Sequence, residues 1–296
     1  MAEGVIAETR TLKRADGRLL GYAEYGDPAG LVVLGFHGVP GSRFMFRPTA
    51  AAAKRLGLRV IAPDRPGYGL SEPKPGRTLA SWLDDVAVLL QHLDIDRFAL
   101  VGISGGAPFA TITAAHYGDR VTALGLVSPM GPIADVHDQI SIPALQQRFF
   151  LQLPHRQRVV KWGSAGANAV FQMAPGPSYD LAVRTLPPAD RDIMTRKAVK
   201  AHVIEDVHQS LTFDGEGTRT DFVIFSQPWG VDYSCITAPA ILWQGTADTI
   251  VPIGAAMALG KLIPRCRVVE LDGEGHFWGL REVDEILDQV KRLATR

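Results

Sequence analysis

The chain has 296 residues, of which 46% are hydrophobic and 21% are charged, as in ordinary globular domains. Basic and acidic residues number 31 each and the basic residues form no run, so we expect no nucleic-acid partner. The opening segment lacks a secretion signal and no apolar stretch is long enough for a bilayer, so we expect no membrane partner. The two cysteines, Cys235 and Cys266, form no C-x-x-C pair, which favours a reducing, cytoplasmic location.

The first predicted elements are two β-like runs within residues 9–25, around Asp16 and Gly17. An Asp-Gly pair adopts positive φ easily, so we expect a tight antiparallel hairpin. Short apolar runs then alternate with helical segments, and they occupy residues 31–36, 59–64, 97–103, 121–128, 239–245 and 267–273. Continuous apolar runs are typical of parallel strands covered on both faces, so the alternation predicts a doubly wound α/β fold.

Local signals mark the ends of two helices. Pro48 precedes an alanine-rich segment and Gly57 follows it, which predicts a helix between them. Ser81 is predicted to cap the next helix, because its hydroxyl could accept a hydrogen bond from the first turn.

Residues 131–236 break the alternation of strand and helix. They contain no clear buried strand, their charges nearly cancel, and aromatic residues recur among helix-forming ones. We predict a mainly helical insertion that covers an active site and is lined for an uncharged or modestly polar small molecule. The same aromatic residues could instead form a small second core.

The segment Gly102-Ile103-Ser104-Gly105-Gly106 matches the pattern G-x-S-x-G. It follows an apolar run and precedes a predicted helix, which is the strand-turn-helix setting of a nucleophilic serine. Small residues suit this turn because neighbouring backbone comes too close for side chains. Ser104 is therefore the candidate nucleophile, although the same letters alone would also suit a flexible loop.

A serine hydroxyl needs a base, and the base needs an acid that holds its tautomer. Asp248 follows the apolar run 239–245, and His276 follows the run 267–273. Because ligand sites form at the carboxyl ends of parallel strands, we expect both side chains near Ser104. Taken singly, Asp248 could be a helix cap and His276 a loop histidine.

A loop rich in glycine, "FHGVPGSR", follows the first apolar run of the sheet. Its backbone could supply a donor for the oxyanion of an acyl-transfer reaction. We predict that the N–H groups of Val39 and Gly105 form this oxyanion hole. His37 is expected to position the loop and not to act as the base.

Together, "HGVPGS", "DRPGYGLSEP", "VGISGGAPFA", "QGTADTIVP" and "GEGHFWG" resemble the α/β-hydrolase family over nearly the whole chain. The resemblance is to its capped branch, which includes esterases, proline iminopeptidases, C-C bond hydrolases and cofactor-free haloperoxidases. Haloalkane dehalogenases and epoxide hydrolases of this branch use an aspartate nucleophile, so Ser104 argues against both activities. Gly105 departs from the family pattern, in which a bulkier residue is common.

The resemblance implies the α/β-hydrolase fold, a mostly parallel eight-stranded sheet with helices on both faces and a helical cap after the sixth strand. The core would comprise residues 1–130 and 237–296, and the cap residues 131–236. It also implies a serine hydrolase that needs neither metal nor organic cofactor and forms an acyl-enzyme from a small carboxylic ester or a related acyl compound.

Three other functions stay open from the sequence. An aminopeptidase could use Glu205, Asp206 and Glu216 to bind a substrate amine. A C-C bond hydrolase would use the same serine, histidine and aspartate. A non-catalytic ligand receptor could be built on the same fold, because fold does not determine function. The sequence indicates no oligomeric state.

Overall fold

Eight strands form one sheet in the computed structural model, which describes residues 6–296. Residues 1–5, part of the opening segment used above to argue against secretion, lie outside the described residues. The strands are β1 Ile6–Lys13, β2 Leu19–Gly26, β3 Leu31–Phe36, β4 Leu58–Pro63, β5 Phe98–Ile103, β6 Val121–Val127, β7 Ala240–Gly245 and β8 Cys266–Leu271. The helices are α1 Ala50–Leu56, α2 Trp82–His92, α3 Ala107–Tyr117, α4 Ile133–Val136, α5 Ala144–Gln147, α6 Gln157–Met173, α7 Pro175–Arg184, α8 Pro188–Met194, α9 Lys197–Ser210, α10 Glu216–Phe225, α11 Ile253–Leu262 and α12 Val283–Ala294.

The strands lie in the order β1-β2-β4-β3-β5-β6-β7-β8. Strand β2 pairs antiparallel with β1 and β4, and all strands from β4 to β8 pair in parallel. The predicted α/β-hydrolase fold class is thus confirmed. The carboxyl ends of β5, β7 and β8 consequently meet at one edge of the sheet, which is where the candidate site lies.

The sheet is covered on both faces because its strands alternate their side chains between two cores. Leu34 and Phe36 of β3 belong to a core that also contains residues of α2, α3 and α11, whereas Val33 of the same strand belongs to a second core with residues of α1 and α12. This burial on both faces explains why the central strands are continuous apolar runs in the sequence.

The hairpin and one helix cap differ in detail from expectation. The β1–β2 connection spans residues 14–18, in which the N–H of Arg14 donates to the carbonyl oxygen of Arg18 and the N–H of Gly17 donates to that of Arg14, so it is longer than a two-residue turn. Gly57 ends α1 with a φ of 62°, as predicted. Ser81 does not cap α2, because its hydroxyl exchanges hydrogen bonds with Thr78 instead.

Between β6 and β7 the described elements are all helical. We call residues 133–225, which contain α4 to α10, the helical insertion. Its Asp221 is fully buried and accepts hydrogen bonds from Arg65 and Tyr68 of the loop after β4. This contact fastens the insertion to the sheet. None of the helices in residues 6–296 has the length and apolar character needed to cross a bilayer.

Candidate active site

Ser104 lies on a sharp turn between β5 and α3, with a positive φ of 51°. A non-glycine residue rarely adopts this conformation, so the surrounding packing must enforce it. A Cβ atom on Gly106 would lie 2.1 Å from the carbonyl oxygen of Phe36, and one on Gly102 would lie 2.8 Å from Cβ of Ala110. The glycines therefore let the turn pack closely, and Ser104 is held at the strand end.

The structure brings Ser104, His276 and Asp248 together. The distance from Oγ of Ser104 to Nε2 of His276 is 3.0 Å, and that from Nδ1 of His276 to Oδ2 of Asp248 is 2.7 Å. In this arrangement the serine hydroxyl donates to Nε2, and the Nδ1–H group donates to the carboxylate. These contacts join residues 172 and 28 positions apart in the chain, so only the fold places them side by side.

Asp248 is buried yet extensively hydrogen bonded. Its Oδ1 accepts the N–H groups of Ile250 and Val251, and its Oδ2 accepts the side-chain amide of Gln244 as well as His276. Burial opposes ionisation, but His276 and these donors outweigh it and hold the pKa of Asp248 below its usual value. The carboxylate is therefore ionised at neutral pH and can orient the imidazole.

The backbone of His276 is held from two sides. Its N–H donates to Oδ2 of Asp190 at 2.9 Å, and its carbonyl oxygen accepts the hydroxyl of Ser128 at 2.9 Å. Asp190 lies on α8 of the helical insertion, is fully buried, and also accepts the N–H of Phe277 at 2.7 Å. A Cβ on Gly275 would lie 2.3 Å from Cγ of Asp190, so only glycine permits this approach. We call Asp190 and Gly275 the α8 anchor.

Sequence reasoning missed Asp190. Its only local signal is an acidic residue in the first turn of a helix that begins after two prolines, a pattern that ordinary surface helices share. A stronger hint is the glycine directly before His276, because a glycine can mark a close approach of another chain segment as well as flexibility.

We expect the Asp190→Ala substitution to lower kcat for ester hydrolysis by about 10²-fold while changing KM little. Loss of the carboxylate leaves the amides of His276 and Phe277 unpaired and lets the imidazole shift from Ser104. Steady-state kinetics on a chromogenic ester measure this effect. Asp192→Asn on the same helix is the matched control, because Asp192 is exposed and pairs with Arg196. An unchanged kcat in a folded Asp190→Ala protein would contradict the positioning role.

The loop after β3 lies beside Ser104. A Cβ on Gly38 would be 3.3 Å from Cβ of Ser104, and among the described residues the N–H of Val39 has no hydrogen-bond partner. The buried imidazole of His37 contacts the carbonyl oxygen of Gly38 and accepts the N–H of Arg65. Burial, followed by the charge of Arg65, lowers the pKa of His37 well below its usual value. His37 is thus neutral and braces the loop, as expected.

Gly105 has a packing reason to lack a side chain. A Cβ at this position would lie 2.7 Å from Cγ2 of Val39 and 3.0 Å from Cζ of Phe225 on α10. The aromatic ring from the helical insertion therefore borders the space that a bulkier residue at position 105 would need. This contact also brings Val39 next to Gly105, the two residues predicted to supply the oxyanion donors.

A cavity of about 450 Å³ adjoins Ser104 and His276. Its lining is mostly apolar and comes from both the sheet region and the helical insertion. The lining residues with polar side-chain groups are Thr49, Ser104, Ser178, Tyr179, His202, Asp206 and His276, and the hydroxyl of Tyr179 donates to the carbonyl oxygen of Met194. The cavity therefore suits a mainly apolar small molecule, with few positions at which a polar group could bind.

Of the three acidic residues considered for amine binding, only Asp206 lines this cavity. Glu205 is exposed and pairs with Arg47 at 2.6 Å, and Glu216 does not reach the cavity lining. Burial raises the pKa of Asp206 to about 7, against the opposing effect of hydrogen bonds from Ser42. Asp64 raises the pKa further and Arg43 lowers it.

We expect Asp206→Asn to stabilise the protein by an amount that grows with pH. The pKa of Asp206 in the folded state, about 7, exceeds the ordinary value of 3.8. The free energy of unfolding of the wild type therefore decreases as pH rises from 3.8 to about 7, because the unfolded chain ionises this carboxyl more readily than the folded protein does. The gain in Tm should therefore increase from pH 4 to pH 7 and then level off. Thermal unfolding followed by circular dichroism measures it, with Asp192→Asn as the exposed control. Parallel Tm curves for Asp206→Asn and wild type would show that the carboxyl carries no such penalty.

Within residues 6–296, no three His, Cys, Asp or Glu side chains are grouped so that they could hold a metal ion. The polar groups at the site are instead those of acid-base and nucleophilic chemistry. Ser104 can attack a carbonyl carbon, His276 can move its proton, and Asp248 can hold the imidazole.

Comparison with known proteins identifies the family. Residues 32–280 match the family described as alpha/beta hydrolase fold, so the chain belongs to this family and is an enzyme of the α/β-hydrolase class. The resemblance inferred from the sequence motifs is thereby confirmed. The chain is 35% identical over 239 residues to the uncharacterised hydrolase YcgS of Bacillus subtilis, covering 77% of this chain and 79% of that protein. It is 26% identical to epoxide hydrolase A of Mycobacterium tuberculosis over 315 residues, 98% of each chain.

Solved structures show the same fold. Bromoperoxidase from Bacillus anthracis has a TM-score of 0.73 at 19% identity and covers 96% of this chain and 100% of its own. The enol-lactonase from Burkholderia xenovorans has a TM-score of 0.71 at 24% identity, with coverage of 97% and 100%. At these identities the likeness shows the fold alone.

Proposed function

We propose that the protein is a serine hydrolase that cleaves a small, mainly apolar carboxylic ester. The observation that carries this proposal is the hydrogen-bonded series from Ser104 through His276 to Asp248, with spacings of 3.0 and 2.7 Å, beside an apolar cavity. Relatives whose names include esterase and enol-lactonase are consistent with ester chemistry in this fold.

In the proposed mechanism, His276 accepts the hydroxyl proton as Oγ of Ser104 attacks the ester carbonyl. Ionised Asp248 stabilises the imidazolium that forms. The N–H groups of Val39 and Gly105 would donate hydrogen bonds to the oxyanion. Loss of one such donor typically lowers kcat by about 10²- to 10³-fold. His276 then returns the proton to the leaving alcohol, and it next activates a water molecule that releases the acid from Ser104.

Several observations favour an ester over the alternatives. An aminopeptidase that binds its substrate amine through several carboxylates has only Asp206 available in the cavity lining. Epoxide hydrolysis by the family's aspartate nucleophile is disfavoured by Ser104 at the turn, despite the similarity to epoxide hydrolase A. No specific contact among the described residues favours C-C bond cleavage.

The predicted core and cap boundaries at residues 130/131 and 236/237 form part of this proposal, as does a cytoplasmic location.

Labelling with a fluorophosphonate probe tests the nucleophile, because the probe reacts covalently with activated serines. Wild type should label and Ser104→Ala should not. Short-chain nitrophenyl esters and prolyl anilides, assayed with both proteins, then separate an esterase from an aminopeptidase. Absence of labelling and of turnover in wild type would favour the non-catalytic receptor and overturn the proposal.

A further inference from the structure

Two polar residues on one face of α9 interrupt the apolar lining of the cavity. His202 and Asp206 are four positions apart, so they lie one turn apart on the same side of the helix. Val203 and Val207, their neighbours on α9, also line the cavity and are apolar. Since buried polar groups cost free energy unless they are paired, Asp206 in this setting requires an explanation.

The hydrogen bonds of Asp206 use only one of its two carboxyl oxygens. Oδ1 accepts both the N–H of Ser42 at 2.9 Å and its hydroxyl at 2.6 Å. Among the described residues, no hydrogen bond reaches Oδ2, although Asp206 is only 4% exposed. An ionised carboxyl group can accept about four hydrogen bonds, about two at each oxygen, so Oδ2 can still accept hydrogen bonds from a ligand.

Anchoring α9 to Ser42 does not by itself require a carboxyl group. Both Ser42 donors reach the same oxygen, so an asparagine amide oxygen could accept them equally well. The carboxyl pKa of about 7 reflects burial that the Ser42 bonds do not offset. Oδ2 is not among the fully buried unpartnered atoms of the described residues, and Asp206 lines the cavity, so this oxygen is open to a ligand that donates a hydrogen bond.

We propose that Oδ2 of Asp206, with His202 beside it, binds a neutral hydrogen-bond donor on the acyl part of the substrate. The substrate class would then be esters whose apolar chain carries a hydroxyl group away from the scissile carbonyl. This inference rests on the proposed function.

The subsite lies within reach of the reacting serine. A Cβ on Gly38 would approach Cβ of Ser104 to 3.3 Å, and Ser42 follows Gly38 by four residues, a span of at most about 14 Å. An acyl chain of several carbons could therefore bridge the two positions. An ammonium group fits less well, because a charged group loses more solvation than a hydroxyl when it enters the mostly apolar cavity, and a substrate carboxylate would face Asp206 directly.

The test compares ethyl hexanoate, octanoate and decanoate with the corresponding ω-hydroxy esters, which do not close readily to small lactones, with the released acid followed by pH-stat titration. For the chain length that fits, we expect wild type to prefer the hydroxy ester by at least about tenfold in kcat/KM. Asp206→Leu should reduce this ratio to about one. Asp206→Asn keeps the acceptor for Ser42 and should shift the preference towards the matching ω-oxo (aldehyde) ester, because its amide donates a hydrogen bond. Glu205→Gln is the control, since exposed Glu205 should leave the ratio unchanged.

The outcomes separate this inference from the proposed function. Hydrolysis of plain esters that depends on Ser104, without a hydroxyl preference at any chain length, overturns only the subsite. A hydroxyl preference that survives in folded Asp206→Leu, or a stronger preference for ω-amino esters, also overturns it. Failure of wild type both to label with the fluorophosphonate probe and to hydrolyse any ester overturns both.

Discussion

The Ser104→Ala substitution is expected to lower kcat for ester hydrolysis by about 10⁴- to 10⁶-fold, and His276→Ala by a similar factor. Each variant removes one partner of the 3.0 Å contact between Oγ of Ser104 and Nε2 of His276. Because the two residues would act as a unit, the double variant should be about as slow as either single one. Single-turnover and steady-state assays on a nitrophenyl ester measure these rates.

Ser178→Ala is the matched control for Ser104, because Ser178 also lines the cavity and, within residues 6–296, its hydroxyl bonds only to the carbonyl oxygen of Val170, at 3.5 Å. This variant should stay within a small factor of wild type. If Ser178→Ala abolished turnover while Ser104→Ala retained it, the nucleophile would have been misassigned. Multiplicative losses in the double variant would instead mean that Ser104 and His276 act independently.

The second large effect is expected for Asp248→Asn, which should lower kcat by about 10⁴-fold without unfolding the protein. Oδ2 of Asp248 accepts hydrogen bonds from both His276 and Gln244. If the amide nitrogen of the asparagine takes the place of Oδ2, its N–H groups face these two donors and cannot bond to them. If the amide rotates to avoid this, its N–H groups face the backbone amides of Ile250 and Val251. The first orientation disfavours the tautomer of His276 that can accept the proton of Ser104, and the second places donor against donor at the backbone amides of Ile250 and Val251.

Asp272→Asn provides the comparison for Asp248→Asn. Asp272 is exposed and lies on the same loop as His276, so it should give near wild-type rates. Circular dichroism verifies that both variants fold. Normal turnover in Asp248→Asn would show that another carboxylate orients the histidine.

Local sequence patterns predicted strands β3 to β8 within two residues of their observed ends, and for the central strands the reason is that two-sided burial leaves an uninterrupted apolar run. Strand β1 begins at Ile6, three residues before the predicted run. They also located Ser104, Asp248 and His276, since each follows a strand and parallel strands end at one edge. The residues that support these three were not predictable in this way. Asp190 contacts a loop 86 positions away, and neither its type nor its spacing indicates that contact.

Helix caps and turns illustrate the same limit at shorter range. Ser81 has the right residue type for a cap, yet Thr78 competes for its hydroxyl. The missing side chain of Gly105 could be interpreted from the sequence only as a departure from the family pattern. Its reason became visible once Val39 and Phe225 were found against it. Tertiary contacts, and not residue type alone, decide such positions.

The α8 anchor has a practical consequence for protein engineering. Helical insertions are attractive parts to exchange between relatives when a new specificity is wanted, because they supply much of the cavity wall. Here the exchanged part would also remove the carboxylate that accepts the amides of His276 and Phe277. A chimaera should therefore contain an acidic residue at the position equivalent to Asp190 and should retain Gly275. Without them, the new cavity would be combined with a His276 whose backbone is no longer held in place.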